Sequence, residues 1–289
     1  MSNIENDVAL QVSSQDGITA LAPKSDGARV IAIANQKGGV GKTTTAINLA
    51  TALAACDKKI LIIDIDAQGN ASTGLGIDRK ARTVSTYDVI IDRKPIEEAT
   101  ISSVVPRLDV VASSIDLAGA EIELIDLDRR EFRLKDAIRR MSAHYDYILI
   151  DCPPSLQLLT LNALCAADSI LVPLQCEFYA LEGLSLLMRT IERVRKAFNP
   201  ALTIQGVVLT MYDKRNNLSD MVASDVREHF GDKVYDTVIP RNVRVSEAPS
   251  FGLPVLVYDM HCRGSKAYIN LASEVLRREQ TPMVEVGTA

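Results

Sequence analysis

The chain has 289 residues, 47% of them hydrophobic and 4% aromatic, with no Trp. That is enough for one large domain or two ordinary ones, with an aliphatic core of the kind buried parallel strands prefer. A formal charge of −5 excludes coating of nucleic acid through bulk charge, though not through a local basic face. The elements can be taken in chain order.

Residues 1–28 are polar and lack periodicity, which predicts a disordered extension. Residues 280–289 read as a loose tail, leaving 29–279 as one domain without a Pro/Gly-rich linker or a repeat. Strands are predicted over 29–34, 59–64, 108–112, 147–151, 169–174, 203–210 and 233–239. Helices are predicted over 43–54, 86–91, 117–125, 131–141, 156–166, 181–198, 219–230 and 264–278. The alternation predicts an α/β fold with a mostly parallel central sheet and helices on both faces. No apolar run reaches the roughly 18 residues that span a bilayer, and no signal-peptide core is visible at the start. The five cysteines (56, 152, 165, 176 and 262) form no C-x-x-C pair, which predicts reduced thiols; His144, His229 and His261 lack ligand spacing.

The first strand leads into Lys37-Gly38-Gly39-Val40-Gly41-Lys42-Thr43-Thr44 and then a helix. Glycines remove Cβ atoms, so backbone N–H groups can close around phosphate oxygens at the helix N-terminus. Lys42 supplies charge to the phosphates and the Thr43 hydroxyl can hold Mg²⁺. Gln36 stands where the usual P-loop has its first Gly, and Lys37 adds a second lysine.

Behind the loop, the second strand carries Asp64 and Asp66, two apart and so expected on one face of an extended strand. Asp151 ends the apolar run Tyr147-Ile148-Leu149-Ile150, a Walker B-like strand whose carboxylate is expected to hold Mg²⁺ through water. Asp64 is a second candidate for the metal.

The loop K-G-G-x-G-K-T-T resembles the deviant Walker A ATPases, the superfamily of ParA, MinD and the nitrogenase iron protein. D-x-D-x-Q-G-N-A-S, Y-I-L-I-D-C-P-P-S, V-P-L-Q-C-E-F-Y-A-L-E-G and V-I-P-R-N-V-R-V-S-E-A-P-S narrow the resemblance to ParA/Soj partitioning ATPases, over about residues 29–278. The resemblance implies an ATP-sandwich homodimer with Mg²⁺. Lys37 would reach the phosphates of the other subunit, Lys42 would bind the β- and γ-phosphates within the 37–44 loop, and Asp66 would orient water. Met211, Pro240 and Asn242 would border the adenine. A carboxylate orients water but activates it weakly, which implies slow turnover. Ala67 departs from the family, which usually has Pro there. The resemblance also implies non-specific DNA binding, a ParB-like partner that stimulates hydrolysis, and a cytoplasmic, nucleoid-associated protein.

Residues 189–278 carry a net +4 against −9 elsewhere. Arg189, Arg193, Arg195, Lys196, Lys214, Arg215, Arg244 and Arg263, with Arg241 and Lys266, are the candidate phosphate contacts for DNA. A second basic run, from Arg129 to Arg140, alternates with acids and reads as a salt-bridged helix surface. Three rivals share the ATPase core. A MinD-like protein would end in a basic amphipathic membrane helix, but the last helix here carries acids and apolar residues suited to packing, so no stable membrane association is expected. A nitrogenase-like reductase would need cysteines placed to share a cluster, and Cys152 alone lies near the carboxylates. An amide or ring synthetase would need a substrate pocket.

Overall fold

The computed structural model describes residues 27–280. The extension expected over 1–28 and the tail over 280–289 fall outside these residues except for their inner ends. In chain order the elements are β1 (Arg29–Ile33), α1 (Lys42–Ala55), β2 (Ile60–Asp64), α2 (Asn70–Gly74), α3 (Thr86–Ile90), β3 (Thr100–Ser102), β4 (Leu108–Val111), α4 (Leu117–Glu123) and α5 (Arg133–Met141). There follow β5 (Tyr147–Asp151), α6 (Leu158–Ala166), β6 (Ser169–Gln175), α7 (Ala180–Ala197), β7 (Thr203–Thr210), α8 (Asn217–Phe230), α9 (Val243–Glu247), α10 (Val255–Tyr258) and α11 (Arg263–Gln280).

The strands form one seven-stranded sheet in the order β3-β4-β2-β5-β1-β6-β7. All neighbours pair in parallel except β3 and β4. Every residue of β2 and β5 is buried, as their unbroken apolar runs require of strands covered on both faces. One core packs α3, α5, α6, α7 and α8 on one face, with Ile148, Ile150 and Val172 beneath them. The other packs α1 and α11 against Ile31, Ile33 and Leu149. Tyr268, Leu271, Ala272 and Val275 of α11 are buried in this second core, so its apolar stripe is spent on the sheet. Among the described residues no helix is long and apolar enough to cross a membrane.

Residues 233–239 do not form a strand. They meet β7 at one bridge, Val207 to Val234, and through the Tyr235 and Ile239 N–H groups, but the N–H groups of Asp236 and Thr237 between these are taken at 2.9 and 3.0 Å by the Glu274 carboxylate of α11, which interrupts the ladder. Tyr235 turns its ring onto Gly206, where an added Cβ would sit 2.5 Å from the ring. At the opposite edge of the sheet, β4 is closed by β3, a three-residue antiparallel strand absent from the predicted elements because it is too short to leave a periodic signal.

This topology sets the site. The chain leaves β1 between β5 and β6, two strands that lie on opposite sides of it, and at such a switch point the carboxyl ends of parallel strands border a crevice.

Candidate functional site

The loop after β1 is braced by β6 and β7. Asn35 Nδ2 donates to the Pro173 carbonyl of β6 at 2.8 Å, while its Oδ1 accepts the Lys37 N–H at 3.0 Å. At the other end the Thr210 hydroxyl of β7 donates to the Val40 carbonyl at 2.8 Å. Gly39 and Gly41 have φ of 74° and 88°, a left-handed backbone that a side chain would strain. Gly41 sits at the N-cap of α1, and no side chain caps that helix. The first N–H groups of α1 therefore stay unspent beside the loop, together with the positive end of the helix dipole.

The two lysines turn different ways. Lys42 is buried, and its ammonium donates back to the Lys37 carbonyl at 3.1 Å, across the mouth of the loop. Burial pulls its pKa below the ordinary value, against the opposing charge of Asp151. Lys37 instead reaches away from its own loop to Glu177, with Nζ 2.5 Å from Oε2. Gln175 holds the other Glu177 oxygen.

Asp64 and Asp151 stand opposite each other in the β2–β5 register, and Ile33 opposes Asp151 from β1. Their oxygens differ in use. Asp64 accepts from the Ser72 N–H at 2.9 Å, the Ser72 hydroxyl at 2.7 Å and the Asp66 N–H at 3.2 Å. Asp151 is equally buried, yet neither of its oxygens has a hydrogen-bond partner of normal geometry; the Thr43 hydroxyl is close enough only to favour the ionised form. Burial first, and the facing Asp64 second, push the Asp151 carboxyl well above its usual range. Burial likewise pushes Asp64 up to about 6, against the Ser72 bonds.

A buried carboxylate left unbonded beside Lys42 and Thr43 is the kind of acceptor a hydrated cation satisfies. The oxygen-only donors suit Mg²⁺, which keeps several waters and shares its ligands with phosphate. Among the described residues no cluster of three His, Cys, Asp or Glu is placed to hold a metal by itself. The metal reading therefore rests on Asp151 and Thr43, and Asp64 serves as a brace.

Asp66 is not on the strand face with Asp64. β2 ends at Asp64, and Asp66 lies in a turn closed by Gly69 N–H to Asp66 O at 2.9 Å and Gln68 N–H to its Oδ1 at 3.0 Å. This turn forms with Ala67 in the family's Pro position. Ser113 ties it down: its hydroxyl donates to Asp66 O at 2.6 Å and its N–H to Ser72 Oγ at 3.0 Å. A chain Asp64–Ser72–Ser113–Asp66 thus fixes the segment that carries Asp66. Sequence reasoning assigned no role to Ser72, Ser113 or Glu177, although Ser72 and Glu177 stand inside the quoted motifs. Ser113 left no such signal.

Met211 and Pro240 are brought together by the bridge between Tyr212 and Pro240 and by Arg241 N–H to Tyr212 O at 3.1 Å. Met211 has φ of 50°, uncommon for a side-chain-bearing residue, directly after the Thr210 that braces the loop. Asn242 caps α9 through its Oδ1. None of these lines the ≈ 400 Å³ cavity beside the first turns of α1, which is bordered by Thr43, Thr44, Asn48, Thr73, Pro249 and Val255 among others. That lining carries no titratable side chain.

The basic candidates divide. Arg189, Arg193 and Lys196 are exposed at positions of α7 that share one helical face, and Arg195 is half-buried. Lys214 is exposed. Arg215 is paired with Asp213 at 2.9 Å, and Arg244 with Glu247 at 3.0 Å and Asp259 at 3.5 Å. Arg263 is exposed at the start of α11, next to Gly264, which lies against Val245 and Asn242. Cys152 is buried and its thiol is pushed up by burial, which gives no accessible thiolate for a cluster.

Residues 28–204 match the family described as AAA domain. The chromosome partitioning protein ParA of Caulobacter vibrioides is 64% identical over 254 residues, covering 87% of this chain and 95% of that protein. The sporulation initiation inhibitor protein Soj of Bacillus subtilis is 53% identical over 247 residues, covering 86% and 98%. Among solved structures, cobyrinic acid a,c-diamide synthase from Mycobacterium smegmatis, with a bound ATP analog and magnesium, superposes with a TM-score of 0.77 at 35% identity, covering 88% and 96%.

Proposed function

We propose that this chain, which belongs to the ParA/Soj family of chromosome-partitioning ATPases, binds Mg-ATP between two copies of itself, holds DNA without sequence preference in that state, and lets go when ATP is hydrolysed. The observation that carries the reading is the Asp151 carboxylate, buried without a hydrogen-bond partner beside Lys42 and Thr43. The unspent N–H groups of α1 and the Lys42 ammonium would receive the β- and γ-phosphates. Thr43, and Asp151 through water, would hold the Mg²⁺, which offsets phosphate charge when bound. Asp66, fixed by the Ser113 bond, would orient the attacking water. Met211, Pro240 and Asn242 would flank the adenine.

The direction of Lys37 supports the shared site. Its ammonium does not turn into its own loop, so it is available to a partner once Glu177 releases it. Phe178 and Tyr179, next to Glu177, are 76% and 65% exposed and stack edge to face, an apolar surface suited to a second copy. DNA would meet the exposed face of α7, with Lys214 and Arg263 as further contacts. A ParB-like protein would stimulate turnover, and the protein would act in the cytoplasm on the nucleoid. The M. smegmatis synthase raises the amide-synthetase reading. The lining of the cavity beside α1 offers no titratable side chain for acyl chemistry.

The test is a DNA titration with ATP, with ADP and without nucleotide, on wild type and Arg193→Glu. Tight, salt-sensitive binding is expected only with ATP and only in wild type. Binding that ignores the nucleotide would refute the switch.

A further inference from the structure

A small cavity of ≈ 60 Å³ lies between one face of α5 and the segment that follows α3, and none of its lining residues belongs to the nucleotide site. Arg93, Lys94, Arg133, Asp136 and Arg140 supply its charges. Two of these are matched. Asp136 is gripped by Arg129 at 3.0–3.3 Å, and Lys94 pairs with Asp88 at 2.6 Å. Arg93, Arg133 and Arg140 form no ion pair among the described residues, so three cations line the cavity without an acid in ion-pair reach of any of them. The basic run that reads from sequence as a salt-bridged surface is therefore only partly one.

Arg133 is fixed so as to present an edge. Its Nη1 donates to the last carbonyls of α3, Ile90 at 3.1 Å and Ile91 at 2.9 Å. The residue is 8% exposed, and among the described residues its buried Nε has no acceptor. The Nε–Nη2 edge is the fork that takes an oxyanion through two parallel N–H···O bonds. Burial, and then the nearby Arg93 charge, pull the Arg133 pKa down, with partial relief from Asp128. Arg93 itself has φ of 57°, a left-handed backbone that is uncommon for a residue with a side chain.

We propose that this cavity is an oxyanion site that takes one phosphate group, gripped by the Arg133 fork and balanced by Arg93 and Arg140. The size fits a single group, being far below the roughly 300–1,000 Å³ of pockets that enclose whole small molecules. Three unmatched cations favour a dianion over a carboxylate. The site stands independently of the nucleotide reading.

The experiment uses the full chain saturated with Mg-ADP, so that the P-loop does not compete, and inorganic phosphate as the probe at constant ionic strength. At about tenfold excess over its Kd, phosphate is expected to raise the thermal midpoint by roughly 3–6 °C. Arg93→Gln/Arg140→Gln, two exposed positions that leave the fold intact, is expected to weaken phosphate tenfold or more. Arg133→Lys, which keeps the charge and removes the fork, is expected to do the same. A second arm replaces phosphate with short duplex DNA. If the phosphate belongs to a DNA backbone, the double variant lowers DNA affinity and reduces the salt slope by about 1; if it is a small free ion, only the thermal arm responds. Equal responses of wild type and both variants in both arms, or an equal midpoint rise with chloride, would overturn the site.

Discussion

Lys37 and Glu177, 140 residues apart in sequence, form a 2.5 Å ion pair at the mouth of the loop. The pair holds the lysine out of its own phosphate cradle and beside the exposed Phe178 and Tyr179. Assembly of two copies around ATP would have to break it. Both side chains are about two-fifths exposed, so the pair is worth at most about 1 kcal/mol. Two such pairs break per dimer, so Glu177→Ala is expected to favour ATP-dependent dimers by no more than about thirtyfold, read by sedimentation across protein concentrations. A loss of assembly would show that Glu177 itself contacts the partner.

Asp151→Asn separates the metal role from the fold. The variant is expected to lose Mg²⁺-dependent tightening of ATP while gaining stability without nucleotide, because it removes a buried carboxyl with no partner. The pH dependence has a definite sign. Asp64 is raised from 3.8 to about 6, so across that window the folded state holds a proton that the unfolded state has lost. Stability without nucleotide should fall as pH rises from about 4 through 6. Asp151→Asn removes a second carboxyl raised by burial and should flatten that fall, as chemical denaturation at several pH values will show.

Glu274 supplies the opposite case. Burial pushes its carboxyl up, but the Asp236 and Thr237 N–H bonds and Arg278 outweigh burial and leave it below the ordinary 4.5. Its contribution is present above that ordinary value and lost as pH falls through the lower folded value. Glu274→Gln is expected to cost about 2 kcal/mol, a fall of roughly 4–8 °C in the thermal midpoint near neutral pH. A fall of under 1 °C would mean that Asp236 and Thr237 find other acceptors.

The sequence made the P-loop and the parallel strands legible because both are local signals. Glycines at 39 and 41 report left-handed backbone directly, and unbroken apolar runs report strands buried on two faces. What stayed hidden depends on distant partners. Residues 233–239 are apolar enough for a strand, but the N–H groups of Asp236 and Thr237 are claimed by Glu274 from α11. Asp64 and Asp66 are spaced for one strand face, but the strand ends between them and Ser113 pins the turn from β4's end. Which carboxylate stays open, Asp64 or Asp151, depends on Ser72 reaching back eight residues. The Arg133 fork is defined by the carbonyls of Ile90 and Ile91, more than forty residues away.

The shared nucleotide site is tested most directly by measuring subunit mass in solution with Mg-ATP and with Mg-ADP, on wild type and Lys37→Ala, with ATP cleavage followed in the same samples. Dimers are expected for wild type in ATP alone. Lys37→Ala is expected to bind ATP at near-normal affinity yet remain monomeric and inactive. A wild-type monomer that is saturated with Mg-ATP and cleaves it, or a Lys37→Ala protein that dimerises and turns over as wild type does, would contradict the claim that each copy completes the other's site.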